Sequence, residues 1–137
     1  MPAERAGKTL AAKIGLKGRR HLALVHAPPG WPAAAAPEGV RVSRARSEGA
    51  DVTVAFFRAA EALHAEAPGL AATVPPGGSL WVAWPRRAAG HTSDITDNEV
   101  RAALLPTGLV DVKVAALDDD WSGLQFVWRR HLRPPTG

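Results

Sequence analysis

Gly78-Ser79-Leu80-Trp81-Val82-Ala83-Trp84-Pro85-Arg86-Arg87 is the stretch on which the fold turns. From Leu80 to Trp84 every side chain is apolar, a run too short for a helix and without the polar alternation of a half-exposed strand, so it predicts a central strand covered on both faces. Trp81 and Trp84 stand three apart and therefore point to opposite faces, which puts an indole into the packing on each side. Pro75-Pro76-Gly77-Gly78 marks a turn before the strand, and Pro85 closes it, since proline has no N–H to donate to a ladder. Arg86 and Arg87 are delivered at its carboxyl end.

Upstream, the apolar run His21 to Val25 predicts a first buried strand that runs into the loop His26-Ala27-Pro28-Pro29-Gly30-Trp31-Pro32, whose prolines forbid a regular helix there. Val40 to Ser43 reads as a second short strand, and Asp51 to Phe57, with its β-branched centre, as a third. Ala59 to Ala67 predicts a helix stopped by Pro68-Gly69, with one further turn at Leu70 to Thr73. Thr9 is placed to cap a short helix over Leu10 to Ile14, with Gly15 where a left-handed residue would end it.

Downstream, Thr96-Asp97-Asn98-Glu99 has the form of a capping box opening a helix through Leu105, which Pro106 and Gly108 end. Val110, Val112 and Val114 alternate with Asp111 and Lys113, as in a strand with one wet face. The turn at Asp118-Asp119-Asp120 leads to a last strand in which Leu124, Phe126 and Trp128 face one way. As an edge, Val110 to Ala116 offers itself for pairing with a second copy, with Lys113 as the charge that would guard it.

The 137 residues suit a single α/β domain over 1–137 with frayed ends at about 1–8 and 130–137. No stretch approaches the roughly 20 apolar residues of a membrane span, and the amino terminus lacks the apolar core and cleavage site of a signal peptide, which points to the cytoplasm. The absence of cysteine removes disulfides and thiolate chemistry. Charge is uneven: the first 50 residues carry nine Lys and Arg against three Glu, the remainder eight against ten acids. A pI near 10.3 raises the question of an anionic partner. An Ala- and Arg-rich composition without Tyr also has the look of high-GC coding, and basic residues not interleaved with aromatics argue against nucleic acid.

The element order predicts an α/β sheet, mostly parallel, with an antiparallel strand pair at the carboxyl end. It resembles the methyltransferase-like variant of the Rossmann-like fold, in which the last two strands form such a hairpin. Leu10-Ala11-Ala12-Lys13-Ile14-Gly15-Leu16-Lys17, Leu80 to Arg87, Gly108 to Val114 and Asp120 to Val127 resemble, in that order, the recurrent blocks of a bacterial family known only as domain of unknown function 3052. That resemblance implies no activity, and Pro28-Pro29-Gly30 interrupts any ligand-loop inference after the first strand.

A methyltransferase of this type should have a glycine-rich loop after the first strand and an acidic residue after the second. Here stand His26-Ala27-Pro28-Pro29 and Ser43-Arg44-Ala45-Arg46. The expectation is therefore a non-catalytic binding or regulatory domain without a cofactor. Its surface at the carboxyl ends of the strands would use Arg44, Arg46, Arg86 and Arg87 for charge and Trp84 and Trp31 for apolar contact, with Arg58 nearby. An anionic ligand or an acidic protein surface is the partner this layout favours, and solvated loop arginines are the plainer alternative.

The competing expectation is a small methyltransferase-like enzyme with an atypical site for S-adenosylmethionine, in which His26, His91 and Asp94 are the candidate catalytic residues. No zinc-type His pair exists, Asp118 to Asp120 lacks the spacing of a calcium loop, and Ser122 lacks the flanking glycines of a nucleophile elbow, so no metal is expected.

Overall fold

The computed structural model describes residues 13–16, 20–29, 31, 39–86, 90 and 93–129. The expected frayed ends and Thr9 lie outside the described residues. Six strands form one sheet: β1 (His21–Val25), β2 (Arg41–Ser43), β3 (Val52–Phe56), β4 (Ser79–Pro85), β5 (Leu109–Ala116) and β6 (Trp121–Trp128). Their order across the sheet is β2-β1-β3-β4-β6-β5. The first four are parallel, and β6 runs antiparallel to both β4 and β5. This is the expected α/β arrangement.

β4 is the buried centre that its sequence announces. All seven of its residues are buried, Trp81 and Trp84 on opposite faces, and Pro85 takes the last position, where it still pairs with Trp121. On one face Trp84 joins Leu80, Val82, Leu124 and Phe126 beneath two helices, α1 (Ala60–Thr73) and α2 (Asp97–Leu104). On the other, Trp81 meets Ile14, Leu16, Phe56 and Trp121. Residues 13–16 close that second face: the Trp81 indole N–H donates to the carbonyl of Ile14 at 3.0 Å, and Gly15 takes φ +84, the left-handed value expected where the short helix ends.

Three expectations need correction. α1 does not stop at Pro68-Gly69 but runs through to Thr73. The missing Pro68 N–H costs one helical hydrogen bond, while Leu63, Ala67, Leu70 and Ala71 keep one stripe buried on the sheet and hold the helix together.

In β5 the valines are not the inner face: Val112 is 56% and Val114 61% exposed. A register shift between Asp111 and Lys113 carries the polar residues inward instead. Asp111 takes the guanidinium of Arg101 at 3.0 Å, an ion pair that raises the arginine pKa. Lys113 donates to the Lys13 carbonyl at 3.2 Å, its ammonium 6.0 Å from the Trp81 ring centre.

The capping box is half made. Glu99 N–H donates to Thr96 Oγ1 at 3.2 Å, but the Glu99 carboxylate pairs with His64 of α1 rather than reaching back, because α1 packs alongside. Among the described residues no helix is long and apolar enough to cross a membrane.

Candidate functional site

β1 pairs with β2 on one side and β3 on the other, so the chain leaves the carboxyl ends of β1 and β3 in opposite directions and opens a crevice between them. A cleft of about 560 Å³ lies there, lined among others by His26, Pro28, Phe57, Arg58, Glu66 and Trp121. Its walls come from the loop after β1, the turn after β3, the first two turns of α1 and the start of β6.

His26 occupies the first position after β1 in the left-handed conformation, with φ 59. Histidine tolerates that region better than most residues, and here the side chain is held at both ends. Its Nε2 lies 2.9 Å from both carboxylate oxygens of Glu66 on α1, and its ring meets Phe57 edge-on at 5.6 Å. The loop of β1 is thereby pinned to the helix that follows β3.

The floor is aromatic. Trp31, Phe56 and Trp121 meet edge to face at 4.7 and 5.0 Å, and the guanidinium of Arg58 caps the row 4.9 Å from the Trp121 ring centre. The indoles of Trp31, Trp81 and Trp128 each donate to an acceptor, whereas those of Trp84 and Trp121 donate to no described residue. A smaller cavity of about 230 Å³ adjoins the cleft, sharing Pro28, Arg58 and Trp121 with it and adding Pro85 and Asp120.

The arginines expected to act together are dispersed. Arg44 donates to the carbonyls of Pro28 and Trp31 at 3.2 and 3.5 Å, bracing the β1 loop from behind. Arg86 gives its guanidinium to the carbonyls of Asp118 and Asp119 at 3.4 and 3.3 Å. The Arg46 guanidinium stands against Gly69 near the far end of α1, where a β-carbon would come within 2.2 Å of its Nη1. Trp31 is buried in the core, donates to Asp118 at 2.8 Å and does not line the cleft. Trp84 is 8% exposed and lines a separate cleft of about 520 Å³ with Arg86, Ile95, Thr96 and Val114. Arg87 lies outside the described residues.

Of the residues named for acid-base work, His26 alone lines the switch-point cleft. His91 lies outside the described residues. Asp94 accepts from the amide of Ala60 and so caps α1, whose own cap position holds Ala59 with no side chain able to do so. Sequence reasoning passed over Phe57 and Glu66 as site residues, since neither stands in a motif. Only the pairing of β1 with β3 brings Glu66 opposite His26. Among the described residues no three His, Asp or Glu side chains gather as a metal site would require.

No family model matches the chain, which leaves the likeness to family 3052 resting on its four blocks alone. No curated protein matches it either. Solved structures do. The PigF structure with SAH superposes with a TM-score of 0.64 at 10% identity, covering 91% of this chain and 63% of that one. Mitomycin 7-O-methyltransferase MmcR gives 0.67 at 12% identity, over 88% of this chain and 52% of its own. N-methyltransferase NodS from Bradyrhizobium japonicum WM9 gives 0.55 at 14% identity, over 91% and 96%. The chain thus spans less than two thirds of the first two. Identities this low carry the fold, which is Rossmann-like and methyltransferase-like. Such neighbours overturn the expectation of a non-catalytic domain without a cofactor: they are predominantly methyltransferases, PigF is seen with SAH, and the reading moves to the enzyme alternative.

Proposed function

We propose that the chain is a methyltransferase-type domain that binds an S-adenosyl compound in the cleft between the carboxyl ends of β1 and β3. The observation that carries the reading is the aromatic-walled cleft between parallel β1 and β3, where the strand order reverses. Its volume, about 560 Å³, falls in the range of small-molecule sites, roughly 300–1,000 Å³. The Phe57 and Trp121 rings suit a purine and a sulfonium.

The polar contacts differ from the glycine-loop pattern. Pro28 and Pro29 have no N–H to offer an anionic tail, and Arg44, which stands after β2 where an acid was sought, is already engaged by carbonyls. Glu66 is the carboxylate lining the cleft and the group able to accept from ribose hydroxyls or an ammonium. His26 orients that carboxylate. When bound, the cofactor supplies an electrophilic methyl group. The chain's own residues hold it, exclude water with Phe57 and Trp121, and set the Glu66 carboxylate by the hydrogen bond from His26.

Calorimetric titration with S-adenosylmethionine and S-adenosylhomocysteine, with ATP and NAD as controls, tests the reading. Saturable binding of the adenosyl compounds is expected, weakened at least tenfold in Glu66→Gln and in Phe57→Ala. At a hundred times its dissociation constant the ligand should stabilise the fold by about 2.7 kcal/mol. Absence of binding by the unaltered protein would overturn it.

A further inference from the structure

We infer that Arg58 and Trp121 form a recognition site for a small apolar-bodied carboxylic acid, the methyl-accepting substrate class of this domain. The acceptor role rests on the cofactor reading above, whereas the carboxylate site itself rests on its own geometry. The cavity beside the switch-point cleft has a volume of about 230 Å³ and shares Pro28, Arg58 and Trp121 with it. Two reactants must touch, and this cavity opens from the wall of the cleft that would hold the first.

Its chemistry is specific. Arg58 is exposed, and its guanidinium makes no hydrogen bond or ion pair among the described residues; its one contact is the face of Trp121, at 4.9 Å. A guanidinium held over an indole face by its charge keeps its N–H donors for a carboxylate, which a guanidinium can receive through two parallel hydrogen bonds. Arg44 and Arg86, its neighbours at this end of the sheet, are each held by backbone carbonyls. The Trp121 indole N–H adds a further uncommitted donor, although the residue is only 5% exposed. Pro28 and Pro85 supply apolar walls, which suits an alkyl or aryl body.

The position of Arg58 is fixed by its surroundings rather than by its own side chain. Its carbonyl accepts from Ser93 Oγ at 3.3 Å, and the next turn of chain is held by Asp94 at the amide of Ala60. The guanidinium therefore projects from a braced turn.

The test follows the Arg58 Nε–H and Trp121 indole resonances in heteronuclear NMR spectra of the full chain. Benzoate is the probe and benzamide, of the same shape without the charge, the comparison, each titrated with and without S-adenosylhomocysteine. Benzoate should shift both resonances saturably. Arg58→Gln should weaken it at least tenfold and Arg58→Lys less, and benzamide should bind more weakly than benzoate. Folding of both variants is checked by an unchanged Tm. Benzoate shifts that persist in Arg58→Gln, or benzamide binding as tightly as benzoate, would overturn the site. Loss of S-adenosylhomocysteine binding in Arg58→Gln would assign the guanidinium to the cofactor's tail and overturn the acceptor role. Failure of S-adenosylhomocysteine to bind the unaltered protein would remove the cofactor reading and the acceptor role with it, while Arg58-dependent benzoate binding in its absence would still support the carboxylate site.

Discussion

Asp94 accepts a hydrogen bond from the backbone amide of Ala60 at 2.9 Å, across 34 residues of chain. A helix whose cap position is Ala59 has orphan amides at its start, and here the connection between β4 and α2 supplies the missing acceptor. Asp94→Ala should cost about 1 kcal/mol, the usual cost of losing a cap, and Asp94→Asn much less, because the amide oxygen still accepts. Urea midpoints read the difference. Equal midpoints for Asp94→Ala and the unaltered chain would show that water replaces the carboxylate at no cost.

Thr53, the second residue of β3, is 1% exposed, and its hydroxyl finds no hydrogen-bond partner among the described residues. An unsatisfied buried hydroxyl is a liability that an isosteric methyl removes. Thr53→Val should raise stability by about 1 kcal/mol and raise the Tm accordingly. A fall in Tm would mean that the hydroxyl is served by an ordered water.

Gly123 faces the side chains of Leu117 and Trp81. A β-carbon there would stand 2.9 Å from Leu117 Cγ and 3.0 Å from Trp81 Cε3. Both neighbours are buried, so Gly123→Ala should destabilise by about 1–3 kcal/mol through overpacking. Combining it with Leu117→Ala should cost less than the sum of the two single changes, since the smaller side chain makes the room. Strict additivity in the double-mutant cycle would sink this account.

His26 is the one non-glycine residue with positive φ among the described residues. Its exposed pairing with Glu66 contributes little, about 0–1 kcal/mol, while a β-carbon in the left-handed region costs roughly 1–2 kcal/mol. His26→Gly should therefore be close to neutral, and His26→Ala less stable than His26→Gly by about 1 kcal/mol. Thermal melts of the two variants side by side decide it; indistinguishable curves would show that the backbone bears no strain at this position.

The sheet was legible in the sequence where burial on both faces left continuous apolar runs, in β1, β3 and β4, and where alternation put Leu124, Phe126 and Trp128 on one side of β6. It was misread where a local rule met a tertiary one. Pro68 ends helices in isolation, but a buried stripe carries α1 past it. Val112 and Val114 look like an inner face until a register shift turns Lys113 towards the Lys13 carbonyl.

The site was less legible still. Arginine codes for charge, but only the fold shows whether that charge is free, as at Arg58, or bound to carbonyls, as at Arg44 and Arg86. Glu66 joins His26 across 40 residues, and no spacing rule connects them.

The short segment at 13–16 constrains the order in which the fold can be completed. Its Ile14 carbonyl accepts from Trp81, 67 residues on, and its Lys13 carbonyl accepts from Lys113, 100 residues on. Ile14 and Leu16 are among the most deeply buried side chains, yet during synthesis from the amino end their seat does not exist until β4 and then the β5–β6 hairpin have left the ribosome. One face of the sheet must stay open to water until the last strands arrive. Closure of that face is the act that joins the earliest described residues to the latest.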